Sequence, residues 1–158
     1  MKADFVNPFL TAAVNVFKSI MGVAPEMGKL GARRGVFTSQ QCNVVFGVTG
    51  ELEGQIIFGM TLFAADKIAS EMLMAPVLTF NELAASAIAE MGNMISGGAL
   101  TGLSAVGYKC WLSPPSLIRG TKVQISTLDI PTLVVPLITK VGEIEINISL
   151  AERKKIAA

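Results

Sequence analysis

Ser86, Glu90 and Asn93 are the polar residues whose types and spacing bring chemistry to one surface of this chain. Between Leu83 and Val106 the only charged residue is Glu90, and Asn93 follows it three positions later. A helix turns by about 100° per residue, which puts Ser86, Glu90 and Asn93 within roughly 60° of one another. A carboxylate and an amide on one arc offer an ionic contact and an uncharged hydrogen-bonding group. By spacing alone the pair also fits a plain exposed helix face, or an Asn93 bonded to a neighbouring loop. Ala87, Ile88, Met91, Met94, Ile95, Gly98, Ala99, Gly102 and Val106 cluster on the opposite, apolar arc. Ala89, Ser96 and Gly97 flank the polar arc with small side chains. An ordinary solvent-facing stripe carries several Lys and Glu residues. This one is nearly bare, as a surface that docks against another would be.

Composition removes most other chemistries. The chain has no histidine. Ser-His-Asp and Cys-His catalysis, imidazole metal sites and histidine phosphotransfer are therefore excluded. Cys42 and Cys110 are the only cysteines, which rules out a zinc cluster. Two buried thiols in a reducing cytosol are expected, with a disulfide as the alternative. Basic residues number 13 and acidic ones 12, and no basic run exceeds Arg153-Lys154-Lys155. No nucleic-acid surface is expected. Asp4, Asn7 and Pro8 interrupt any signal-peptide core, so a cytoplasmic location is expected. A carboxylate at Glu90, mid-way along 83–106, would cost about 3 kcal/mol in a bilayer, so no membrane span is expected.

The elements must position that polar arc. A chain of 158 residues implies one domain over 1–158. Its 51% hydrophobic content and mean hydropathy of +0.57 supply a core and a surplus for contact between chains. An apolar stripe of Phe5, Phe9, Ala12, Ala13, Val16, Phe17 and Ile20 predicts a helix over 4–21, with Pro8 in its first turn and Gly22 as its stop. The basic, glycine-rich stretch 28–35 loops into a strand near 34–39. Residues 42–48 and 52–62 predict a hairpin turning at 49–51, with Gly54 and Gly59 as weak points or bulges. A short helix over 63–74 ends at Pro76. The capping-box spacing from Thr79 to Glu82 opens the long helix. Gly97-Gly98 is placed to bend that helix and Gly107 to end it. As a phosphate loop, Gly97-Gly98 lacks the preceding strand and the following Lys-Ser. An extended segment over 110–118 is broken by Pro114-Pro115, and 122–128, 132–140 and 143–150 follow as three antiparallel strands. The fold class is α+β, an antiparallel or mixed sheet with its helices packed on one face.

Ser86-x-x-x-Glu90-x-x-Asn93, then 21 residues, then Pro115, resembles the signature of the CheC/CheX/FliY family of chemotaxis phosphatases. Ala87-Ile-Ala-Glu-Met-Gly-Asn-Met-Ile-Ser-Gly-Gly98 and the hairpin Val48-Thr-Gly-Glu-Leu-Glu-Gly-Gln-Ile-Ile-Phe58 are similar to the CheX branch. The resemblance implies a CheC/CheX-like fold and hydrolysis of the phosphoaspartate on a CheY-like response regulator. It assigns Asn93 to positioning the attacking water and Glu90 to pairing with the partner's lysine. Ser86 either orients Glu90 or is simply small enough for close approach. Pro115 shapes a turn near the helix. The partner brings the phosphoaspartyl group and Mg²⁺, so no cofactor of the chain's own is implied. CheC-like members carry the motif twice. Here Asp4-Phe-Val-Asn7 lacks the upstream partner and Glu71-Met-Leu-Met74 lacks the amide. One site per chain implies the CheX type and a homodimer. A non-catalytic module that binds a response regulator or a flagellar complex would present the same surface. So would a structural dimerisation module whose polar stripe is incidental.

Overall fold

A computed structural model describes residues 1–127 and 129–154 of the chain. In chain order the elements are α1 (Ala3–Met21), β1 (Glu26–Met27), β2 (Gly31–Arg33), β3 (Val36–Thr38), β4 (Cys42–Gly50), β5 (Leu52–Met60) and α2 (Leu62–Leu73). There follow α3 (Glu82–Ala105), β6 (Cys110–Leu112), β7 (Ser116–Arg119), β8 (Gln124–Ser126), β9 (Thr132–Thr139) and β10 (Gly142–Glu152). The main sheet runs β1-β9-β10-β5-β4-β6, with β2 also paired to β9 and β7 to β4. Every pairing is antiparallel. The expected α+β class with an antiparallel sheet is what the chain forms.

Alternation along the strands separates the two faces of the sheet. Val44, Phe46 and Val48 of β4, Ile56 and Phe58 of β5, and Ile144, Ile146 and Ile148 of β10 join one core with the three helices. Phe5, Phe9 and Phe17 of α1 and Ile88, Met91 and Ile95 of α3 close that core from above. The opposite face is polar under its cover. Arg33 donates two hydrogen bonds to the Glu145 carboxylate at 3.2 Å and one to Asn147 Oδ1 at 3.0 Å. Its guanidinium lies 4.7 Å from the centre of the Phe37 ring. Buried charge is tolerated there because it is paired and hydrogen-bonded.

Several expectations need correction. Residues 122–128 do not extend the main sheet. Gln124–Ser126 pairs with β3 in a separate two-stranded sheet, and Leu128 lies outside the described residues. Pro8 falls in the second turn of α1, because the helix already starts at Ala3. Gly22 does stop it, at φ 75°. Helix α2 ends before Pro76, where Met74 adopts φ 53°. The cap of α3 is Asn81, whose Oδ1 accepts from the Ala84 amide at 2.9 Å, so the capping box at Thr79 is not used. Gly54 and Gly59 form no bulge, since the ladders run through both. Gly54 is needed for another reason: at φ 147° a Cβ there would lie 1.8 Å from the Ser149 carbonyl oxygen. Cys42 and Cys110 are free, and Cys110 is only partly buried. They sit at opposite ends of β4, Cys42 within it and Cys110 paired with Gly50, so no bond joins them within one chain. No helix among the described residues is long and apolar enough to cross a membrane.

Candidate active site

Helix α3 carries the site, and its depth on the sheet is set at Gly92. A Cβ at Gly92 would lie 2.8 Å from the Phe46 ring and 3.3 Å from Val44 Cγ1. The missing side chain lets the helix backbone rest directly on β4. Phe46 is held in turn by an edge-on contact with Phe58 at 6.1 Å between ring centres. On its flank α3 packs antiparallel to α1. Gly98 faces the Ala12 methyl at 3.2 Å and Gly102 faces Pro8 at 2.9 Å, both measured from a built Cβ. Asn93 is the next residue after Gly92, so the same seating fixes where its side chain leaves the helix.

Ser86, Glu90 and Asn93 emerge together on the exposed side of α3, as the helical angles require. Among the described residues none of the three has a hydrogen-bond or ion-pair partner within the chain. A carboxylate and a carboxamide are thus presented unspent to whatever docks there. Pro115 is not on this helix. It lies between β6 and β7, the two short strands that pair with the outer edge of β4. Ser113 pins that turn: its Oγ accepts from the Gly47 amide at 2.7 Å and its amide donates to the Gly47 carbonyl at 2.9 Å. Both strands lie beside α3. Gly47 adjoins Phe46, the residue on which Gly92 rests. Pro115 therefore belongs to the edge that supports the helix.

The apolar arc drawn from the sequence is too wide. Met94 is 40% exposed and Val106 is 49% exposed, and Gly98 is also at the surface. These residues, with Gly102, line a groove of about 490 Å³ between α1 and α3, opposite Asn7, Thr11 and Asn15. Conversely Ser96, expected beside the polar arc, is fully buried and its hydroxyl has no partner. Exposed Leu83 and Met94 flank the motif; the sequence pattern assigned Leu83 no role and placed Met94 on the apolar arc. Their helical angles, within about 40° of Glu90, were the available signal. Asp4 and Asn7 of α1 lie at the Val106 end of the groove, with no second motif around them. Among the described residues no three acidic or cysteine side chains gather as metal ligands.

A family model described as Chemotaxis phosphatase CheX matches residues 42–138, from the start of β4 into β9. The chain belongs to the CheX family. The matched span contains α3 and the β6–β7 edge, the two parts that carry the CheX-like signature. The CheY-P phosphatase CheX of Thermotoga maritima is 28% identical over 131 residues, 82% of this chain and 84% of that protein. CheX from Desulfovibrio desulfuricans superposes with a TM-score of 0.83 at 28% identity, over 95% of this chain and 99% of that one. A chain of the CheX–CheY–BeF3–Mg²⁺ complex from Borrelia burgdorferi superposes with a TM-score of 0.80 at 32% identity, over 96% of this chain and 100% of that one.

Proposed function

We propose that this CheX-family chain is a phosphatase that hydrolyses the phosphoaspartate of a CheY-like response regulator. Asn93 positions the attacking water and Glu90 anchors the partner. The observation that carries this is the pair itself, exposed on α3 with no partner inside the chain. It stands in a family whose Thermotoga maritima member is a CheY-P phosphatase.

The reaction asks little covalent work of such a chain. Water attacks phosphorus, the bond to the aspartyl oxygen breaks, and inorganic phosphate and a free carboxylate leave. The protein's task is to hold the water in line with the breaking bond. A carboxamide can do this without repelling the phosphoryl oxygens, as a carboxylate in the same place would. Glu90 sits one turn away, where its charge pairs with a cation of the partner and sets the register of docking. Ser86 and Pro115 support the site: Ser86 leaves room one turn before Glu90, and Pro115 shapes the edge beside the helix. Mg²⁺ belongs to the receiver; a solved complex of a CheX relative contains CheY, BeF3 and Mg²⁺ together. The chain brings no cofactor of its own and works as a homodimer in the cytoplasm.

The test is the decay of a phosphorylated CheY-like receiver from the same organism, followed with sub-stoichiometric amounts of this protein. Wild type speeds the decay. Asn93→Ala lowers the rate by about a hundredfold or more, near 2.7 kcal/mol of transition-state stabilisation, while receiver binding persists. Glu90→Ala raises the concentration needed for half-maximal rate. Equal decay with wild type and Asn93→Ala would leave only a docking surface, the function of a non-catalytic module.

A further inference from the structure

One residue of the exposed stripe is explained by no packing contact. Gly97 lies inside the 24-residue helix α3 at an exposed position, and a Cβ built there meets nothing within 4 Å. The other glycines of this helix have tight neighbours: Phe46 at Gly92, Ala12 at Gly98 and Pro8 at Gly102. The helix runs unbroken through Gly97-Gly98. A glycine in a helix interior lowers stability relative to alanine, and alanine fits here without contact.

The position of Gly97 supplies a reason. By helical geometry it falls on the arc between Glu90 and Asn93, about 20° from the first and 40° from the second. It lies about 6 Å further along the helix axis than Asn93. An asparagine side chain is short. For its amide to reach an acyl phosphate held in a partner's cleft, the backbone of α3 must come close to that cleft. A side chain one turn on, along the same line, would hold the partner away.

We infer that Gly97 is the clearance position for the receiver. Its missing side chain lets the phosphorylated end of the receiver press against the backbone of α3, within reach of Asn93. This role rests on the proposed phosphatase reading. The partner it fits is the same phosphorylated receiver, because Gly97 continues the surface of Glu90 and Asn93 without a break.

The experiment compares wild type, Gly97→Ala and Gly97→Leu. It measures melting temperature, affinity for a CheY-like receiver activated with beryllofluoride and Mg²⁺, and the rate of receiver dephosphorylation. Leucine is the better helix former, so Gly97→Leu should raise the melting temperature by about 2–4 °C. Its affinity for the activated receiver should fall by about tenfold or more, with KM rising more than kcat falls. Gly97→Ala should raise the melting temperature at least as much, since alanine is the best helix former, and should lose less affinity than Gly97→Leu. A graded loss of binding while stability rises is the signature of lost clearance. Wild-type affinity in Gly97→Leu would overturn the inference and leave the phosphatase reading intact. A loss that follows a falling melting temperature would also overturn it, as plain structural damage. If wild type neither binds the activated receiver nor speeds its decay, the phosphatase reading falls and the role of Gly97 with it.

Discussion

Asn93 and Glu90 were legible in the sequence because their angles on a helix follow from position alone. The groove beside them was not. A helical wheel gives direction but not the place where a neighbouring helix stops. Met94 and Val106 therefore counted as core, although α1 leaves them at the rim of a groove. Ser96 went the other way, buried with an unpartnered hydroxyl. The cysteines show the same dependence on surroundings. Burial pushes the Cys42 thiol up to about 11 from 9.0. A thiol with a raised folded pKa stays neutral while the unfolded chain ionises first. Its contribution to stability is therefore whole below about pH 9 and is lost progressively toward pH 11. Denaturant unfolding of wild type and Cys42→Ala between pH 8 and pH 10.5 reads this directly. Wild type should lose up to about 2 kcal/mol more than the variant across that range. Parallel pH profiles would show that the thiol is not the cause.

Among the elements, α1, the β4–β5 hairpin and α3 followed from apolar periodicity. What failed depends on partners distant in sequence or on a choice between equal local signals. Thr79 and Asn81 both carry capping side chains, and only the path of the chain into α3 selects Asn81. Strand β8 has three residues and pairs with β3, across the whole of β4 to β7. No local pattern announces such a strand. The seating of α3 on β4 yields a prediction at this scale. Gly92→Ala puts a methyl group within 2.8 Å of the Phe46 ring, so the helix must lift or the ring must turn. Overpacking of this kind costs about 1–3 kcal/mol. Thermal unfolding and receiver dephosphorylation should both be impaired. Unchanged stability would mean that Phe46 yields freely and that Gly92 does not set the depth of the helix.

For the whole molecule, the sequence showed a surplus of apolar residues but not where it would go. Part of it remains at the surface, with Met74 and Leu78 each 92% exposed and Trp111 64% exposed on strand β6. The expected homodimer is tested by light scattering at micromolar concentration. Twice the mass of one chain supports it, and a monomer removes it. The polar cover of the sheet lay beyond sequence reasoning altogether, because Arg33 and Glu145 are 112 positions apart. The placing of β10 between β5 and β9 carries a consequence for how the chain is made. Ile57 waits for Asn147, its partner across the ladder. During synthesis, β4, β5 and the helices that bear the site emerge before the strand that completes their sheet. Contacts of such long range form slowly, since loop closure comes before any reward. Until β10 arrives, the edge of β5 is open to pairing with other chains, so the interval of greatest aggregation risk for a nascent chain ends only as β10 leaves the ribosome.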